Sequence, residues 1–171
     1  MDGDADGGWE DFDAFYLATY PRLVGQLLAV TGDLQDAEDV VQEAFIRAYQ
    51  RWPGVRAYDV PERWVRRVAL NLAVSQFRRT RRRLAVVRHL RVPESSPLSD
   101  EVLEVVEILR TLPITHRAVL LLHDVLELPV DEVAEQLGLP LPTVRGRLTR
   151  GRARLAKQLT TEAGEVRFPH G

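Results

Sequence analysis

Apolar positions recur along most of this chain with a helical period, and no strand-like alternation flanked by hairpin turn signals is present. Residues 12–30 carry Phe15, Leu23, Leu27 and Val30 at helical spacing, with an expected interruption at Pro21 and a stop at Gly32. Asp33 is placed to cap a second helix over residues 34–51. Ala37, Val40, Val41, Ala44, Phe45, Ala48 and Tyr49 share one face of it, and Asp36, Glu38, Asp39, Gln42 and Glu43 share the other. Pro53, Gly54 and Pro61 bracket a loop, after which a long helix is expected over residues 62–84. Four shorter helices follow, over 100–112, 114–125, 129–137 and 143–159. Between the two sets, residues 92–100 (VPESSPLSD) hold two prolines and three serines without an apolar period, so they read as a linker. The pattern therefore predicts an all-α chain of two small helical domains joined by a Pro/Ser-containing linker. A length of 171 residues suits that division. The Gly/Asp-rich first eight residues are expected to lack structure.

Composition then removes whole classes. At 45% hydrophobic and 28% charged, the chain can build a core and is not disordered throughout. No run reaches the roughly 18 apolar residues of a membrane span. The N-terminus is acidic, where a secretory signal is basic and then apolar. No membrane association is expected, and the location expected is the cytoplasm. With no cysteine, disulfide scaffolds, thiolate zinc sites and thiol catalysis are excluded.

The net charge of −2 conceals a segregation of sign. Residues 1–62 carry 13 acidic and 4 basic side chains, whereas residues 63–91 carry 10 arginines and no acid. Residues 92–142 return to 10 acids against 2 arginines, and residues 143–158 hold 5 arginines and Lys157 without an acid. Solvated helix faces usually mix both signs, so two acid-free basic blocks point to two polyanion-binding surfaces.

The second block carries the spacing of a DNA-binding helix-turn-helix, VDEVAEQLGLPLPTVRGRLTR. Ala134 is small where two helices would cross, Gly138 suits a left-handed turn residue, and Val144 would pack back from the second helix. Val133, Leu137 and Leu148 complete a small core. Thr143 is placed to cap the second helix, whose polar face is Arg145, Arg147, Arg150, Arg152 and Arg154. Such a helix can enter the major groove, where arginine reads guanine edges and neutralises phosphates. Gly146 and Gly151 lie inside it, each costing on the order of 1 kcal/mol relative to alanine.

The first block, RWVRRVALNLAVSQFRRTRRR, interleaves arginine with apolar residues. Val65, Val68, Leu72 and Phe77 are expected to face a core, with the arginines, Asn71, Ser75 and Gln76 outward. Trp52, Tyr58 and Trp64 gather at the adjoining loop. Arginine beside exposed rings is the chemistry of single-stranded nucleic acid, although a core role for Trp52 and Trp64 stays equally open. The Asn71 amide is suited to bond a base edge.

The segments DAEDVVQEAFIRAYQRW, WVRRVALNLAVSQFRRTRRR and LRTLPITHRAVLLLHDVLELPVDEVAEQLGLPLPTVRGRL, in this order, resemble an extracytoplasmic-function (group IV) sigma factor of bacterial RNA polymerase, of the sigma-70 family. The likeness covers roughly residues 10–160 and looks nearest to the SigE-type subfamily of actinobacteria. It implies a region 2 domain over 9–84, a linker over 85–100, a region 4 domain over 101–160 and a tail over 161–171. It also implies that Asp36, Asp39, Gln42 and Glu43 dock on the clamp helices of the largest subunit of core RNA polymerase, with the flap of the second-largest subunit as a further contact. Trp64, Arg67, Asn71, Arg78 and Arg79 would bind and melt the −10 element. Thr143, Arg145, Arg147 and Arg150 would bind the −35 element. Partners implied are core polymerase, promoter DNA and an anti-sigma factor, with a nucleoid-associated location.

No catalytic residue, metal site or cofactor is expected. His89, His116, His123 and His170 are scattered without ligand spacing, and no GxSxG, Walker or dinucleotide fingerprint is present. Two other readings stand beside the sigma factor: a free-standing helix-turn-helix regulator with a dimerising or ligand-sensing N-terminal domain, and a DNA-processing enzyme such as a recombinase. The second basic block argues against the first, and the missing nucleophile constellation argues against the second.

Overall fold

The structure, a computed structural model, describes residues 4–83 and 99–165, with side chains described for 10–80 and 99–161. It divides into two compact units, Met1–Ser96 and Pro97–Gly171. The described residues are helical with short turns and no strand. Among them, no helix is long and apolar enough to cross a membrane.

The first unit holds α1 (Asp4–Thr31), α2 (Leu34–Gln50), the short α3 (Trp52–Val55) and α4 (Pro61–Arg83). α1 begins inside the segment expected to lack structure and runs unbroken through Pro21. An interior proline removes a backbone bond at a cost of about 3 kcal/mol. Here Pro21 is exposed, so the freed carbonyl turns to water, while Leu23, Leu27 and Val30 beyond it are fully buried. Gly32, at φ 75°, closes α1 with its N–H on the Leu28 carbonyl. Asp33 then caps α2, its Oδ1 accepting from the Asp36 N–H at 2.9 Å. The expected apolar face of α2 is buried from Ala37 to Ala48; Tyr49 at its end is exposed.

α2 packs against both α1 and α4, which also meet each other. Rings from three elements close one end of this core. Phe12 lies edge-on to Trp52 at 5.1 Å and to Tyr49 at 5.2 Å, and Tyr16 meets Phe45 at 4.9 Å. In α4 the buried face differs from the expected one. Val65, Ala69, Leu70 and Ala73 are buried, whereas Val68, Leu72 and Phe77 are only half-buried. Small residues let α4 approach its neighbours closely, which turns the bulkier set to the flank.

The second unit holds α5 (Asp100–Arg110), α6 (Ile114–Leu120), one π-helical turn (Leu121–Val125), α7 (Val130–Leu137) and α8 (Leu141–Glu165). Ser99 caps α5 through the Val102 N–H. The helix expected over 114–125 is thus α-helical only to Leu120. After the π turn the chain reverses through Glu127 at φ 56°, and the Leu128 N–H returns to the Leu122 carbonyl. α6, α7 and α5 all pack on α8. α8 continues to Glu165, five residues into the expected tail.

Candidate functional site

In the first unit, α2 and α4 leave a groove of about 860 Å³ between them. Asp39, Gln42 and Glu43 line it from α2, and Asn71 and Arg79 line it from α4, above apolar Val68 and Leu72. Residues expected to serve two different partners therefore share one groove. Asp39 and Gln42 are exposed, and Gln35 Nε2 donates to Asp39 Oδ1 at 2.9 Å. Glu43 pairs with Arg47 one turn on at 2.8 Å, with both side chains more than 40% exposed. A pair so exposed adds little stability and is readily exchanged for a partner's cation. Asp36 is half-buried in the first turn of α2, where unpaired N–H groups favour a carboxylate. Burial and then the neighbours Tyr16, Glu38 and Asp39 push the Tyr20 hydroxyl above its usual range.

Arg67, Asn71 and Arg78 are exposed on the outward side of α4, with Trp64 half-buried one turn before Arg67. Tyr58 and Val60 stand exposed on the loop before α4. Trp52 belongs to the core instead: it is 5% exposed, and its Nε1 is enclosed without a hydrogen-bond partner. Arg66 is likewise buried, beside Glu62, which also pairs with Arg22.

In the second unit, α7 and α8 form the expected helix-turn-helix. Gly138 is left-handed at φ 61°, its N–H bonds the Glu135 carbonyl, and the Leu139 N–H bonds the Ala134 carbonyl at 2.9 Å. Val133 and Val144 are fully buried across the turn, with Leu148 and Ala134 beside them; Leu137 is half-buried. Thr143 is not the cap. α8 starts at Leu141, and the Thr143 and Val144 N–H groups both reach the Pro140 carbonyl. Pro142 explains the early start, since its fixed φ suits a first turn in which its missing N–H is no loss.

Arg145, Arg150, Arg152 and Arg154 are exposed on α8, and Arg147 is half-buried. They do not act alike. Arg152 forks onto Asp124 of the π turn, with Nε to Oδ2 at 3.0 Å and a second contact to Oδ1, which raises its guanidinium pKa further. Gly151 is buried, and a Cβ there would lie 3.0 Å from Leu120 Cδ1, so this glycine sets how closely α6 approaches α8. Inside α6, Arg117 is 5% exposed, with Nε donating to the Leu112 carbonyl at 3.1 Å. Burial, assisted by Arg110, pushes its pKa down to about 10. Among the described residues, no group of three or more His, Asp or Glu is placed to hold a metal. His89 and His170 lie outside the described residues.

Comparison with known proteins shows the family of the chain. Residues 15–83 match the family profile of Sigma-70 region 2, and residues 103–155 match that of Sigma-70, region 4. The ECF RNA polymerase sigma factor SigW of Bacillus subtilis (strain 168) is 32% identical over 173 residues, covering 87% of this chain and 90% of the relative. The chain is an ECF sigma factor of the sigma-70 family. Solved structures share its fold. RpoE of Bartonella quintana, in complex with the anti-sigma factor NepR, superposes with a TM-score of 0.72 at 20% identity, covering 88% of this chain and 98% of that one. CnrH, in complex with the cytosolic domain of CnrY, gives 0.60 at 27% identity, covering 92% of each. Relatives named SigW, sigma-H, SigE and SigG all match this sigma factor, so no subfamily is singled out.

As a sigma factor, the protein is a transcription initiation factor and not an enzyme. Sequence reasoning missed three of its residues, Arg66, Arg117 and Asp124, and the packing role of a fourth, Gly151. Nothing in their local pattern separates the two buried arginines from their exposed neighbours. Gly151 carried a usable signal, since a glycine inside a helix often marks a close approach.

Proposed function

We propose that this sigma factor docks on core RNA polymerase through the α2 edge of its groove and reads promoter DNA with both units. Asp36, Asp39, Gln42 and Glu43 face the clamp helices of the largest subunit. Trp64, Arg67, Asn71, Arg78 and Arg79 melt and hold the −10 strand, with the Asn71 amide on a flipped base. Arg145, Arg147 and Arg150, with Thr143 at the turn, meet the −35 element, and the flap of the second-largest subunit supports the second unit. The observation that carries this reading is the segregation of sign by element: acids on the α2 side of the groove, arginines along α4 and α8. Asn71 and Arg79 stand on the groove itself, which supports one continuous surface for polymerase and melted strand. Work in the cytoplasm on the nucleoid, and control by an anti-sigma factor of the kind bound to RpoE, belong to the same reading. The SigE-type kinship belongs to it too.

The test is run-off transcription with core enzyme. The double variant Asp39→Arg, Glu43→Arg should abolish holoenzyme assembly while leaving helical content intact. Asn71→Ala should relax base preference on a pre-melted −10 template. Arg145→Ala should change which −35 bases matter in a randomised library, because losing a bidentate guanine contact costs about 1–3 kcal/mol at one position. Normal assembly by the charge-reversed variant would overturn the docking assignment, and an unchanged −35 profile would overturn the readout. A free-standing regulator would bind its site tightly without core enzyme, which the same assays detect.

A further inference from the structure

α4 carries one acid, Glu62 in its first turn, and residues 63–91 hold no other. Arg22 Nη2 of α1 donates to Glu62 Oε2, and Glu62 Oε1 lies 3.6 Å from Nη1 of Arg66 one turn on. The Arg66 side chain is 7% exposed and that of Glu62 16%, whereas Arg22 stands mostly in water. A bridge of three charges thus runs from the solvent edge of α1, through one carboxylate, to a guanidinium buried in the first unit. A guanidinium stays charged on burial and depends on the anion beside it. Within α4 that anion is Glu62 alone.

Helical geometry sets this bridge opposite the row assigned to the −10 strand. At 3.6 residues per turn, Glu62, Arg66, Ala69 and Ala73 form one stripe, and Trp64, Arg67, Asn71 and Arg78 form a second, about 160° around the axis. The first stripe faces the core, where Arg66, Ala69 and Ala73 are buried; Arg67, Asn71 and Arg78 are exposed on the second. Alanine methyls allow close approach but make no directional bond, whereas the bridge ties α4 to α1 at a defined angle. The tie matters because of leverage. Turning a helix by about 20° carries a side-chain tip about 2 Å, given a radius of about 5–6 Å. A hydrogen bond to a base edge tolerates a few tenths of an ångström.

We propose that Glu62 is a positioning residue for the −10 strand: without touching DNA, its bridge between Arg22 and Arg66 sets the rotation of α4 and so the register in which Arg67 and Asn71 meet unpaired bases. The inference rests on the reading of α4 as the −10 binder, and it adds to that reading a residue on the opposite face. Loss of the carboxylate leaves the Arg66 cation to seek water, and α4 turns with it. Loss of Arg22 only loosens the tether to α1.

The experiment is transcription with core enzyme from pre-melted templates randomised over the −10 element. The full-chain variants are Glu62→Gln, Arg22→Gln, Asn71→Ala and the double variant Glu62→Gln, Asn71→Ala. Glu62→Gln should lower discrimination at the base that Asn71→Ala affects by about threefold to tenfold, and the double variant should lose no more than Asn71→Ala alone. Arg22→Gln should act at the same base more weakly. Its side chain is exposed, so this variant keeps its helical content and tests the bridge even where Glu62→Gln fails to fold. If both bridge variants lower transcription from all templates alike and keep the parental profile, Glu62 serves stability only and the inference falls, while a changed profile for Asn71→Ala leaves the −10 reading in place. If Asn71→Ala also keeps the parental profile, both fall. A Glu62→Gln effect at other bases, additive with Asn71→Ala, would place Glu62 on the strand itself and overturn the positioning role.

Discussion

The first unit is held by side chains, the second by backbone geometry. Phe12, Phe45 and Trp52 knit α1, α2 and α3 together, and long helices bury Leu23, Leu27, Val40 and Leu70 in a core deep enough to carry α1 through Pro21. Apart from α8, the second unit has helices of at most 11 residues. It depends on a π turn, on Glu127 and Gly138 with positive φ, on a glycine at a helix crossing and on the buried Arg117. Surplus hydrophobic burial absorbs a local fault. A thin core cannot, so its shape depends on a few positions where one added carbon matters.

Full-chain variants followed by amide hydrogen exchange can break this contrast, because exchange reads each unit separately. The largest effect belongs to Phe45→Ala, which should cost about 3–5 kcal/mol and strip protection from α1, α2 and α4 while leaving α6 to α8 unchanged. Equal losses in both units would show that they share one cooperative core. Gly151→Leu comes next. It should cost about 1–3 kcal/mol confined to the second unit, because the new Cβ must displace Leu120. Its control is Gly146→Ala, where the nearest atoms are the movable end of Arg150, so helix propensity should prevail and stability should rise by up to about 1 kcal/mol. If both glycine variants destabilise alike, close approach is not what Gly151 supplies.

Asp33→Ala should cost about 1 kcal/mol in the first unit, since the Asp36 N–H loses its acceptor. An unchanged exchange rate in the first turn of α2 would contradict that cap. The smallest effect is on pH dependence. The folded second unit favours neutral His116, so its contribution is complete above the unfolded pKa near 6.5. Acidification protonates the unfolded chain first, and the second unit should lose stability as pH falls from there through the lower folded value. The first unit has no described histidine and should not share that loss; His116→Gln should remove it.

Much of this architecture was legible in the sequence, and the reasons are local. The α2 stripe, its Asp33 cap, Gly138 and Val144 each follow from periodicity or from one residue's backbone preference, and each stands where expected. The errors arose where tertiary packing overrode a local rule. Pro21 did not break α1, because the residues beyond it were anchored. The apolar period of α4 pointed to bulky Val68, Leu72 and Phe77, but close packing selected Ala69 and Ala73. Thr143 has the chemistry of a cap, yet Pro142 moved the helix start ahead of it. At the candidate site, residue types and outward faces were readable. Which faces adjoin was not, since the meeting of Asp39 with Asn71 and Arg79 depends on how α2 lies against α4.

The fork between Arg152 and Asp124 bears on counterions. The pair is exposed, so a phosphate that takes this guanidinium must displace the Asp124 carboxylate. The dependence of DNA affinity on salt grows by roughly one unit of logarithmic slope for each phosphate neutralised, and Arg152 adds to it only where that displacement occurs. Asp124 competes with the polyanion for one of the helix's charges.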